Sequence, residues 1–297
     1  MPLTVWMCSD QDNSRNSNGN SDKQAAATAD AANAQREVGK VRGAGRGELC
    51  PQHRGAVGYQ LARHLISSCT SEGDVVAEAF TTSEATLVAA AQSSRPGVAL
   101  VPHFPLARHI GTRLRAALTK EQLDCAAMRS CRPDQMHRGL ADVAGRVGLV
   151  VAAPPPYEIG GRVPKGAGSQ SCPACRADLW MLTAQQLTAF LVGAWKILRP
   201  GGTLAIITTA RHEAGRLVDP APRLIQQASA MGFRYVQHII ALRIPVEGGA
   251  LVVQAAANEL AELRDIRSRT LPPPARVHAD VLLLAKPRTR ERQDGEA

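Results

Sequence analysis

Gly148-Leu149-Val150-Val151-Ala152-Ala153-Pro154-Pro155-Pro156-Tyr157 decides the fold of this chain. The first six residues form a short apolar run with β-branched side chains, the composition of a strand buried on both faces of a parallel sheet. Three prolines then stop it, because proline donates no hydrogen bond to a ladder. Tyr157 follows at the strand's carboxyl end, and Gly160-Gly161 open a loop behind it. In open α/β sheets, ligands bind outside the carboxyl ends of the strands. An aromatic residue on a stiff proline turn therefore stands where a binding site is expected.

Outward from this run, strands and helices alternate. Towards the N-terminus, Gly97-Val98-Ala99-Leu100-Val101 and Val75 to Phe80 read as strands, with a small-residue helix beginning over Leu87 to Ala91 between them. Val57, Leu61, Leu65 and Ile66 recur at helical spacing over about 57–68. A helix over 106–118 carries Arg108, Arg113 and Arg115, which read as a solvated face. Residues 119–147 are polar and have no clear period. Towards the C-terminus, Leu179 to Leu198 reads as a long helix ended by Pro200-Gly201-Gly202. Strands follow over 203–208, 233–244, 250–254 and 279–284, with one helix over 222–231 closed by Gly232.

This alternation predicts βαβ units: a three-layer α/β/α domain over about residues 50–285 with a mostly parallel sheet. The last strands have no long helix between them, which predicts an antiparallel hairpin at one edge. Within residues 1–8, Thr4 to Met7 reads as a short strand. Residues 9–48 are rich in Ser, Asn, Asp, Gln, Ala and Gly and read as a disordered or inserted linker. Residues 286–297 read as a charged tail.

Of the 297 residues, 44% are hydrophobic but 3% are aromatic, so the core must be built from Ala, Val, Leu and Ile. The net charge is +9, and residues 55–285 carry 24 Lys and Arg against 17 Asp and Glu. The basic excess lies on the folded part rather than on a tail, which suits contact with a polyanion. No apolar run is long enough to span a membrane, and the start lacks the pattern of a signal peptide. The seven Cys are scattered, so the chain reads as cytoplasmic with reduced thiols. Cys172-Pro173-Ala174-Cys175 is a single CxxC pair, whereas a structural zinc site needs four ligands. The eight His offer no pair at metal-ligand spacing with a carboxylate partner, so no metal is expected. No glycine-rich nucleotide loop of the GxGxxG or Walker type is present.

Pro154-Pro155-Pro156-Tyr157 after its buried strand resembles motif IV of the DNA amino-methyltransferases, Asp/Asn/Ser-Pro-Pro-Tyr. Glu72-Gly73-Asp74-Val75-Val76 leads into Glu78-Ala79-Phe80-Thr81-Thr82-Ser83-Glu84-Ala85-Thr86, which resembles motif I, Asp-Pro-Phe/Met-x-Gly-x-Gly-Thr-Thr. Leu198-Arg199-Pro200-Gly201-Gly202-Thr203 resembles the turn before the fifth strand of the same fold. Over about residues 50–285 the chain is similar to class I S-adenosylmethionine-dependent methyltransferases, more narrowly to the DNA amino-methyltransferase-like proteins of actinobacteria. The resemblance implies a Rossmann-like methyltransferase fold, S-adenosylmethionine as cofactor and nucleic acid, first of all DNA, as partner. It places Glu78, Phe80, Thr82, Glu84 and Val101 at the cofactor. It places Pro154, Pro155, Pro156 and Tyr157 at the target base, with the tyrosine stacking on an extruded base.

The sequence departs from that pattern at three places. Thr82 and Glu84 replace the motif I glycines, which reach positive φ freely where other residues lose roughly 1–2 kcal/mol. Glu84 also brings a carboxylate towards the cofactor's own. Two such charges about 4 Å apart repel by roughly 4 kcal/mol at intermediate dielectric, on the order of a thousandfold in affinity. The acid expected to hold the ribose hydroxyls falls on Val101, which accepts no hydrogen bond. Pro154 keeps a carbonyl but has no side-chain acceptor for the target amine. The residues therefore favour a relative with reduced or lost catalysis that binds nucleic acid or a protein. The alternative is an active amino-methyltransferase on DNA or tRNA.

Overall fold

The computed structural model describes residues 3–9, 57–155, 182–208, 210–213, 216–243, 246–247, 250–251 and 278–288. It opens with β1 (Leu3–Met7) and α1 (Tyr59–Cys69). Next come β2 (Val75–Ala79), α2 (Ala85–Gln92), β3 (Gly97–Leu100) and α3 (Phe104–Ala117). The stretch that has no period in the sequence holds α4 (Lys120–Asp124), β4 (Ala126–Arg129) and α5 (Met136–Gly139). Then follow β5 (Val147–Ala152), α6 (Ala184–Ile197) and β6 (Leu198–Thr208). A small hairpin, β7 (Arg211–Glu213) and β8 (Arg216–Val218), precedes α7 (Ala221–Ala230) and β9 (Arg234–Leu242). A second short hairpin, β10 (Val246–Glu247) and β11 (Ala250–Leu251), precedes β12 (His278–Ala285).

The apolar run quoted first is the middle of an eight-stranded sheet, ordered β1-β9-β12-β6-β5-β2-β3-β4. All six residues of β5 are buried. It pairs in parallel with β2 on one side and β6 on the other, and β3 and β4 extend the parallel run beyond β2. β12 runs antiparallel between β6 and β9. The expected hairpin strands are there, but β1 pairs in parallel with β9 and so stands outside them. Leu61, Leu65 and Ile66 of α1 and Ala89 and Ala90 of α2 pack on one face of the sheet, where α3 adds Leu106, Ile110 and Leu114. Leu187, Phe190 and Leu191 of α6 and Leu224 and Ala228 of α7 cover the other. This is a three-layer α/β/α, mostly parallel Rossmann-like fold.

Local sequence sets several boundaries. Thr119 and Thr183 each accept a hydrogen bond from the backbone of Gln122 and Gln186, whose side chains bond back, so both helices begin on a capping box. Lys286 Nζ donates to the carbonyls of Trp195 and Leu198 at 2.7 Å each, satisfying the end of α6. Arg199 to Gly202 bulge out between two register positions of β6, since Val147 pairs with Leu198 and Leu149 already with Thr203.

At the amino edge of the sheet, Asp74 accepts from Arg199 Nε and Nη2 at 2.8 Å each and from Ser71 N. The guanidinium holds the Asp74 carboxyl below its usual range. Gly148 makes room for this pair: a Cβ there would lie 2.5 Å from Asp74 Cγ. Gly148→Ala is expected to push Asp74 off Arg199 and destabilise the protein by about 2 kcal/mol. Urea unfolding measures it, and a variant as stable as wild type would mean that Asp74 has space to move. The expectations for residues 10–48, Pro156, Tyr157, Cys172, Cys175 and the tail beyond Arg288 lie outside the described residues.

Candidate functional site

β3, β2, β5 and β6 run parallel and adjacent, so their carboxyl ends at Val101, Phe80, Ala153 and Thr208 share one edge of the sheet. The turn at 80–84 joins β2 to α2. Its residues behave differently from the sequence expectation. Among the described residues, Phe80 (φ 60) and Ser94 (φ 57) are the non-glycine residues with positive φ. The left-handed residue of the turn is therefore Phe80, not Thr82 or Glu84. Glu84 sits in the right-handed helical region at φ −80, ψ −10, as the N-cap of α2. Phe80 is buried and meets Phe190 of α6 edge-to-face, ring centroids 5.0 Å apart. An edge-to-face pair of this kind contributes about 1 kcal/mol beyond its buried area, about what the left-handed backbone costs. Thr81 and Thr82 are buried beside it.

Glu84 is not the free carboxylate that its place in motif I suggests. Arg113 Nε of α3 donates to Glu84 Oε1 at 2.6 Å. This pair ties the turn to α3 and offsets the negative charge.

Glu78, at the end of β2, is 2% exposed. Burial pushes its carboxyl up to about 8, and the Glu84 charge adds to the rise. The nearby Thr86 and Thr81 hydroxyls oppose it, but neither Glu78 Oε2 nor Thr86 Oγ has a hydrogen-bond partner in good geometry. Thr81 Oγ instead donates to the Glu78 main-chain oxygen at 3.3 Å. Glu78 is thus a neutral acid near pH 7.

Val101, which the resemblance places at the ribose, is 2% exposed. It is buried in the apolar cluster under α2 and α3, with Leu87, Leu106 and Ile110, and its N–H donates to the Arg129 carbonyl. Beyond it come Pro102, His103 and Phe104. His103 is the N-cap of α3 and makes no side-chain cap hydrogen bond. Phe104 is 78% exposed at the start of that helix, on the carboxyl edge of the sheet. Sequence reasoning passed over it, although it falls outside the Leu106–Ile110–Leu114 stripe of α3 and so marks an aromatic on the polar face. Pro154 and Pro155 are half-buried at the end of β5.

Two histidines find a carboxylate through the sheet register, which their spacing in the sequence does not show. His238 Nε2 of β9 donates to Asp280 Oδ1 of β12 at 2.9 Å. His278 Nε2 lies 3.7 Å from Asp280 Oδ2. The antiparallel register brings them together across 42 residues of chain. Among the described residues, no group of His, Cys, Asp or Glu is arranged to hold a metal ion, and no helix is long and apolar enough to cross a membrane.

No protein-family model and no curated protein matches the chain. Solved structures are similar to it in fold. TrmN from Thermus thermophilus is 20% identical over 80% of this chain and 52% of its own, with a TM-score of 0.44. The chain thus spans about half the length of TrmN. The glycopeptide N-methyltransferase MtfA is 11% identical over 77% of this chain and 95% of that one, with a TM-score of 0.46. A 16S rRNA adenine methyltransferase from Catenulisporales acidiphilia, solved with its cosubstrate SAM, is 15% identical over 77% and 93%, with a TM-score of 0.41.

The residues at the edge do not fit S-adenosylmethionine in the way the motifs imply. The position expected to hold the ribose is an apolar side chain inside the core. Glu84, at the turn expected to wrap the methionine tail, is engaged by Arg113. Thr82 and Glu84 stand where the motif carries glycines.

Proposed function

We propose that this chain is a nucleic-acid-binding relative of the class I methyltransferases, with DNA the first candidate partner, in which cofactor binding and methyl transfer are reduced or lost. The β2–α2 turn carries the reading. It contains no glycine, where the motif that it resembles carries two, and its last residue is engaged by Arg113. The loss of an acceptor at Val101 and at Pro154 points the same way. Nucleic acid is favoured over a protein partner by the surplus of 24 cationic over 17 anionic residues within 55–285. Tyr157 after the prolines would stack on an exposed base.

One observation favours the active alternative. Arg113 offsets the Glu84 charge, so repulsion of a cofactor carboxylate is weaker than the bare sequence suggests. The case against catalysis then rests on the glycines missing at Thr82 and Glu84, on Val101 and on Pro154.

Calorimetric titration with S-adenosylmethionine and S-adenosylhomocysteine is expected to give no binding at micromolar concentration. Tight binding of either would overturn the reading in favour of an active amino-methyltransferase. Gel-shift affinity for DNA is expected to fall about a thousandfold between roughly 50 and 200 mM salt if about six phosphates are contacted. No shift at low salt would leave a protein as the partner.

A further inference from the structure

We infer that the polar group missing at Pro154 has a counterpart two strands along the sheet: Asp280, set between His238 and His278, is a contact for an amine-bearing nucleobase. The inference rests on the nucleic-acid reading above and deepens it by naming a residue that selects the base.

The register places these residues in one line. Ala152 of β5 pairs with Ile206 of β6, and Thr208 of β6 pairs with Asp280 of β12. Pro154 and Thr208 each stand two residues beyond the Ala152–Ile206 pair, at the carboxyl edge. Strands lie about 4.8 Å apart, so Asp280 is about 10 Å from Pro154 along that edge. Partners in a ladder share a face. Ala152, Ile206 and Leu282 belong to the apolar cluster beneath α6 and α7, so Thr208 and Asp280 continue that same face towards the edge. The side chains there are neither core nor open surface: Asp280 is 15% exposed, His238 29% and His278 28%.

The chemistry suits a donor. A carboxylate accepts up to about four hydrogen bonds. His238 takes one of them at Oδ1 and fixes the orientation of the group. The 3.7 Å separation of His278 Nε2 from Oδ2 is beyond hydrogen-bond length, so that oxygen has acceptor capacity for a ligand N–H. Acidic side chains read exocyclic amines in this way, as Asp or Glu does with cytosine N4. Adenine and cytosine carry such an amine, and thymine carries none.

Fluorescence anisotropy with short single-stranded oligo-dA, oligo-dC and oligo-dT at low salt tests this. Wild type is expected to bind oligo-dA and oligo-dC about tenfold more tightly than oligo-dT, the effect of one charge-assisted hydrogen bond. Asp280→Asn, nearly isosteric, should abolish that preference and leave the salt-dependent affinity common to all three. Equal binding of the three by wild type would overturn the role of Asp280 and leave the nucleic-acid reading standing. Binding of none of them would remove that reading and this inference with it. Should the variant fail to fold, the wild type still decides. Saturating oligo-dC should protect His238 and His278 from carbethoxylation by diethyl pyrocarbonate, and oligo-dT at equal occupancy should protect them less; equal reactivity under both would overturn the inference.

Discussion

As pH rises from 4.5 to about 8, wild-type protein should lose stability steadily, and Glu78→Gln should not. The native carboxyl is raised by burial, whereas in the unfolded chain it ionises at its ordinary value. Below 4.5 both states hold the proton and the difference vanishes. Above it the unfolded state gains the solvation of a carboxylate while native Glu78 stays neutral, so unfolding becomes easier. The loss levels off near pH 8, where native Glu78 ionises too. Each unit of separation between the two values contributes about 1.4 kcal/mol, so the upper bound is on the order of 5 kcal/mol. For a domain of this size that is about 10 °C in Tm. The amide of Glu78→Gln cannot ionise, and its NH2 group can donate to Thr86 Oγ, which has no partner now. Thermal unfolding of both proteins across this range checks the result. Parallel pH profiles would mean that Glu78 is ionised and solvated in the native state. Asp74 acts in a separate window: its lowered carboxyl contributes stability above its unfolded value, lost as pH falls through the native one.

The parallel centre of the sheet was legible because β2, β3 and β5 are buried on both faces and therefore read as unbroken apolar runs. β4 was not. Ala126–Arg129 is a half-exposed edge strand whose Ala-Ala-Met carries neither alternation nor β-branched residues. Nor could pattern alone place β1, whose partner β9 lies more than two hundred residues away. At the candidate site, motif matching led to the β2–α2 turn but placed its left-handed backbone at the wrong residues. Counting from the family's glycines points to Thr82 and Glu84, whereas backbone sterics place the left-handed residue where the strand ends, at Phe80. The Arg113 partner of Glu84 was hidden because it sits 29 residues on, in a different helix. Asp280 left one sign in the sequence: His278 lies two residues before it on a strand, hence on the same face. His238 joined them only through the register.

Val101→Glu, which writes the missing acid back at the end of β3, is expected to destabilise the protein by about 3–5 kcal/mol rather than to restore a cofactor site. The backbone of Val101 is held by its N–H on the Arg129 carbonyl, and its side chain lies among Leu87, Leu106 and Ile110. A glutamate there exceeds the space left by valine and buries a carboxyl with no partner. The acid would stay protonated well above its ordinary value, so the variant should be least impaired at low pH and lose further stability as pH rises through neutrality. Urea unfolding at two pH values reads both effects. Wild-type stability at neutral pH would show that position 101 reaches the carboxyl edge, and the ribose-facing placement would then stand. His103→Asp is the control, because His103 is half-exposed, stands at the same edge and caps α3 without a side-chain hydrogen bond. An aspartate is a better N-cap, so that change should leave stability unchanged or raise it by about 1 kcal/mol. If both outcomes hold, an acid is tolerated at this edge two residues beyond the position that motif matching assigns, and a cofactor site would have to be rebuilt from there.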